Sequence, residues 1–191
     1  MNGPADDRRR SLEMRSRAQR RRAIGRGAAP LRSIGAGVFS QGGESLVSRL
    51  NGHFRVLSDL CHRLEDIADH LPDHVDRQDA LHVARSLCAT VMSAHDFEES
   101  VLFPLLKLRF AQDADIKEAL ESLHFEHWED DMFAEELAEA LIGFVSGLEP
   151  RNPEALGYML RGFFGGMRRH IAFEKAQIVP LLKQIEVSRG A

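Results

Sequence analysis

From Gly43 onward the apolar residues of this chain recur at three- and four-residue steps, in four long runs separated by turn signals. A stripe at that spacing lies along one side of an α-helix and has to be buried against a partner. The first run covers about 44–70 and carries Val47, Leu50, Phe54, Leu57, Leu60, Cys61, Leu64 and Ile67 before Leu71-Pro72-Asp73 ends it. The second covers about 76–110, with Leu81, Ala84, Leu87, Val91, Leu102 and Leu106 on its stripe. The third runs over about 114–147 and the fourth over about 153–187, Pro153 standing where a first-turn proline is tolerated. No alternating β-branched run and no hairpin turn interrupts them. The pattern predicts an all-α fold, an antiparallel up-down-up-down four-helix bundle over residues 43–188.

The segment before it has a different character. Residues 1–32 hold ten arginines against Asp6, Asp7 and Glu13, a net of +7, and the overall charge of −4 therefore leaves −11 on the rest. Without a sustained apolar period, residues 1–42 read as a disordered Arg-rich tail. An acidic body argues against nucleic acid as the partner of the bundle, and the arginines leave only a weak contact of that kind. No run approaches the roughly 18 apolar residues of a membrane span, and no apolar region follows the arginines as in a secretory signal. Cys61 and Cys88 make no disulfide framework. A reduced, cytoplasmic setting is the expectation.

Two of the runs end alike. The second contains His95-Asp-Phe-Glu98-Glu99-Ser-Val-Leu-Phe-Pro104-Leu-Leu-Lys107, the fourth His170-Ile-Ala-Phe-Glu174-Lys-Ala-Gln-Ile-Val-Pro180-Leu-Leu-Lys183. Residues three or four apart share a helix face, so each helix offers an imidazole and a carboxylate one turn apart. Their apolar neighbours turn that face inward. A glutamate there is costly unless it is paired, protonated or bound to metal. A cation satisfies both His/Glu pairs at once, and imidazole with carboxylate is a ligand set of non-haem iron. His53 lies on the inner side of the first run, and His127 on the third with His124 and Asp131 one turn to either side. His62, His70, His74 and His82 read as surface residues, and the aromatics Phe97, Phe103, Phe125, Trp128, Phe133, Phe163, Phe164 and Phe173 as core.

Over about Leu46 to Ile185 these features resemble the haemerythrin family, specifically its HHE cation-binding domains. That family has a lone His on helix one, His-x-x-x-Glu then Phe-Pro on helix two, Glu-His on helix three, and a second His-x-x-x-Glu then Pro on helix four. Here they are His53, His95/Glu99 with Phe103-Pro104, Glu126-His127, and His170/Glu174 with Pro180. One departure stands out. Counting six residues back from the proline, as from Pro180 to Glu174, selects Glu98, whereas the one-turn step from His95 selects Glu99. Glu99 is preferred for keeping the stack, and both are carried as candidates.

The resemblance implies a carboxylate-bridged centre of two Fe per chain. One metal would take His170 and His95, the other His53 and His127, with Glu174 and Glu98 or Glu99 as bridges. Oxygen-carrying members have an additional histidine; His124 or Asp131 supplies that position, or it stays open for a small ligand. The implied function is binding or sensing a diatomic molecule such as O2 or NO, or handling iron. Two alternatives remain open: a di-iron oxidase, peroxidase or NO-detoxifying enzyme, and an iron donor in iron–sulfur cluster repair. Tyr158 is the only phenol available to an enzyme.

Overall fold

A computed structural model of the chain describes residues 44–147 and 152–190. The segment read as a disordered tail lies outside the described residues. Helix α1 spans Leu46–Asp69. Helix α2 spans Arg77–Phe97, then runs on through a π turn, Glu98–Leu102, into a further α stretch, Phe103–Arg109. Helix α3 spans Ala114–Ser146 and α4 spans Pro153–Gly190. There is no strand among the described residues.

Each start is set by a side chain that takes an orphan amide of the first turn. Ser45 accepts from the Ser48 N–H, Asp76 from those of Gln78 and Asp79, Asp113 from Ile116, and Asn152 from Ala155. Helix α3 ends at Gly147, whose φ of 70° is the left-handed conformation that costs glycine least.

Every helix packs against its neighbours in the chain, and α4 closes back on α1, forming a ring of four around one core. Leu50, Phe54, Leu57 and Leu64 of α1, Leu87, Leu102 and Leu106 of α2, Leu120, Leu123, Leu137 and Leu141 of α3, and Phe163 of α4 are all fully buried there. Arg168 forks onto Glu65 at 2.7 and 3.1 Å, joining α4 to α1. Arg63 pairs with Asp79 between α1 and α2.

The π turn decides what α2 presents to the core. Glu98, Leu102 and Leu106 are each 1 % exposed or less. In a regular α-helix two successive four-residue steps rotate the face by about 40° each. The π turn, in which the Phe103 N–H donates to the Glu98 carbonyl, holds one more residue and takes up that drift. Glu98, Leu102 and Leu106 therefore stay on one inner line.

Not all the aromatics are core. Phe97, Phe103 and Phe163 are buried, but Phe125, Trp128 and Phe173 are exposed and Phe133 and Phe164 lie between. Phe125 and Trp128 flank the inward-facing His127 and so fall on the outer side of α3. His62, His70, His74 and His82 are exposed, as their positions predict.

Candidate metal centre

Five histidine and carboxylate side chains are buried among the described residues: His95, Glu98, His127, His170 and Glu174. They come from three helices. The end of α2 supplies His95, the π turn Glu98, α3 His127, and one turn of α4 both His170 and Glu174. The His127 ring lies between His95, parallel to it at 4.1 Å, and Phe103 at 5.5 Å. The His170 ring is tilted, 5.2 Å from His127 and 5.8 Å from His95.

The donor atoms converge. One ligating atom from each of His95, His127 and His170 lies within 4.8 Å of the others, and the same holds for Glu98, His127, His170 and Glu174. Nε2 of His127 is 3.0 Å from Glu98 Oε2, and Nε2 of His170 is 3.5 Å from Glu174 Oε2. Neither approach is aligned as a hydrogen bond. Nε2 of His95 and His127, both ring nitrogens of His170 and both oxygens of Glu98 and Glu174 are buried without a hydrogen-bond partner. Buried polar atoms are ordinarily satisfied, and each exception costs of order 1–3 kcal/mol. A group of them facing one point needs something to bind, and imidazole with carboxylate suits a divalent transition metal.

The outward nitrogens point to acids. His95 Nδ1 donates to Asp131 at 2.8 Å, and His127 Nδ1 to Glu99 at 2.9 Å. His170 Nδ1 is 3.4 Å from Glu126 and 3.9 Å from Asp130, too far for good bonds. An acid behind an imidazole fixes the tautomer whose Nε2 lone pair faces the metal.

Protonation reflects the crowding. Burial, then the facing Glu174 carboxylate, pushes Glu98 up from 4.5 to about 9. Burial pulls His170 down, but the Glu174 contact and the charges of Glu174, Glu98 and Asp130 win and raise it to about 9. Burial also raises Asp130. For Glu99 burial acts upward and is outweighed by the His127 and His124 N–H groups, which hold its carboxyl below the usual range. Without a cation Glu98 and His170 thus hold protons at the centre, and a divalent ion would take the place of those protons.

The remaining candidates lie elsewhere. Of the adjacent glutamates it is Glu98 that joins the inner set; Glu99, preferred from the one-turn stack, turns outward to His127 and His124. His53 is half-buried, its ring lying 5.0 Å from that of Phe97, and is not in the converging group. Burial, then Arg49, lowers its pKa, while Glu174 acts the other way. Asp131 and His124, considered as further ligands, instead hold His95 and Glu99. Glu126 and Asp130 as neighbours of His170 were missed. Their four-residue spacing on α3 was the available signal.

The family described as Hemerythrin HHE cation binding domain matches residues 45–182. No curated protein and no solved structure compared with the chain gives a match.

Proposed function

The chain belongs to the haemerythrin HHE cation-binding domain family, and from that premise we propose that it is a non-haem iron protein that binds or senses a small diatomic ligand such as O2 or NO. The observation that carries this reading is the convergence of buried, unpartnered donor atoms at His95, Glu98, His127, His170 and Glu174.

His95, His127, His170, Glu98 and Glu174 would hold the metal, and their imidazole and carboxylate donors suit a centre of two iron ions. Iron with an open position binds O2 or NO directly, which is the chemistry the metal would supply. The chain's own groups prepare the site. Asp131 and Glu99 hold His95 and His127 by their outer nitrogens. Phe103 and the leucines at 102 and 106 keep water from the inner face of the π turn. In an up-down-up-down course α2 and α4 run in the same direction, and their His/Glu segments meet diagonally across the core.

The test is iron per chain after anaerobic reconstitution with ferrous iron and desalting. About two is expected, and a value near one revises the nuclearity. Protein that gains none would overturn the iron reading. Saturable NO or O2 binding without repeated consumption separates a carrier or sensor from an enzyme. No helix among the described residues is long and apolar enough to cross a membrane.

A further inference from the structure

At the outer end of the candidate metal centre stands a histidine outside the converging donor set, His124. His124 lies three residues before His127 on α3, close to the same face, but one ring points out and the other in. The His124 side chain is 68 % exposed and that of His127 only 2 %. Between them stands Glu99, 34 % exposed. Its Oε1 accepts from Nδ1 of His127 at 2.9 Å and from Nδ1 of His124 at 2.9 Å. A single carboxylate oxygen thus joins a buried imidazole to a surface one. We infer that His124 is a positioning residue of the metal centre, acting through Glu99 to hold His127 in the orientation and tautomer that aim its Nε2 at the metal.

Geometry carries the argument. Glu99 sits on the π turn, where the backbone is not fixed by regular α bonding. A glutamate side chain alone at a half-exposed position samples several rotamers, and ordering it costs conformational entropy. The second N–H pins the oxygen from the solvent side, so the rotamer that meets His127 is held before metal arrives. His127 gains most from such support. Its ring packs between His95 and Phe103, where a flip would exchange the lone pair for an N–H against Glu98. The other two inner histidines have no counterpart. Asp131, behind His95, and Glu126 and Asp130, beside His170, each come within 4 Å of one histidine only.

This inference rests on the metal reading above, and its test keeps the two apart. Co2+ would be titrated into metal-free wild-type protein and the variants H124A, H124N, E99A and E99A/H124A, with affinity read by chelator competition and ligand geometry by the visible d–d bands. Loss of Glu99 is expected to lower affinity about 10- to 100-fold, the usual effect of removing the partner of a ligating histidine. H124A is expected to lower it roughly 3- to 10-fold, one link further from the metal than that range describes. In H124A the d–d bands would also change, while the metal-free melting temperature stays at the wild-type value. Asn places an amide N–H near the position of Nδ1, so H124N should recover most of the loss. In the E99A background, H124A should cost nothing more, because the route through Glu99 is already cut. Wild-type affinity and bands in H124A, or losses that multiply in the double variant, would overturn the role assigned to His124. Wild-type protein that binds no Co2+ would remove the metal reading itself, and this inference with it.

Discussion

The segments His95–Lys107 and His170–Lys183 end in the same Pro-Leu-Leu-Lys, yet the chain folds them differently. The α4 segment stays α-helical through Pro180, and its single glutamate, Glu174, points inward with His170 one turn before it. The α2 segment is one residue shorter from histidine to proline and contains the π turn. That turn sends its two glutamates to opposite sides, Glu98 into the donor set and Glu99 to the outer nitrogens of His127 and His124. One segment therefore supplies a donor alone, while the other supplies a donor and a clamp. A motif repeated in sequence need not repeat its roles, because a single residue of spacing changes which side chain faces in.

The sharpest way to break the comparison is to remove the donor from each segment in turn. Glu98→Met and Glu174→Met should each weaken metal binding by more than roughly 100-fold, beyond the effect of removing a histidine's partner. If only one of them does so, the two glutamates are not equivalent donors. In the metal-free protein the effect should reverse for one of them. Glu98→Met exchanges a buried, unsatisfied carboxyl for an apolar chain of similar length, so unfolding free energy should rise by about 1 kcal/mol or more, whereas Glu174→Met also removes the carboxylate that holds the His170 proton and should not stabilise. Chemical denaturation of chelator-treated protein would show it, and a loss of stability in Glu98→Met would mean that this carboxyl is satisfied without metal.

Acidity tests the same opposition. Glu98 is raised from 4.5 to about 9 and His170 from 6.5 to about 9 in the metal-free fold. A folded pKa above the unfolded one gives stability that is complete below the unfolded value and is lost as pH rises through the folded value. Metal-free protein should thus lose stability between about pH 4.5 and 9, most steeply above 6.5 where both groups contribute. Metal-loaded protein should lose stability toward acid, because ligands must be deprotonated to bind. Melting curves of both forms at pH 5.5, 7 and 9, read as roughly spaced points across that window, would reveal crossing trends. Parallel trends would mean that the metal does not displace those protons.

Much of this was legible in the sequence. The three- and four-residue apolar steps place all four helices within a few residues of their ends, and Asp76, Asp113 and Pro153 stand where the helices begin. His95, His127, His170 and Glu174 are inward because they lie on those stripes. The π turn was not legible: nothing in Glu98–Leu102 separates it from an α turn, and only the mismatch of His-to-Pro spacing hinted at it. The exposed Phe125 and Trp128 were hidden for a related reason. His127 stands beside Phe125 and Trp128 on α3, and composition does not say which of them faces the core. His53 sits on the predicted side of α1, but which neighbour its ring meets depends on packing, and it meets Phe97.

Smaller effects should rank the supports of the two segments. The acid behind His95 makes a 2.8 Å hydrogen bond, whereas the nearer acid beside His170 stays at 3.4 Å without one. Asp131→Ala should therefore weaken metal binding about tenfold and Glu126→Ala only a few-fold, at the low end of what such partners contribute. Equal losses would mean that Glu126 closes on His170 when the metal binds, which would make α4 as firmly supported as α2. The smallest effect belongs to His53→Ala. Its ring lies against Phe97 and outside the converging donors, so iron per chain should stay at the wild-type value, with any change confined to packing at that contact. A fall to half the wild-type iron would show that the His53 ring leaves Phe97 to ligate one of two ions, and that α1 contributes a donor of its own.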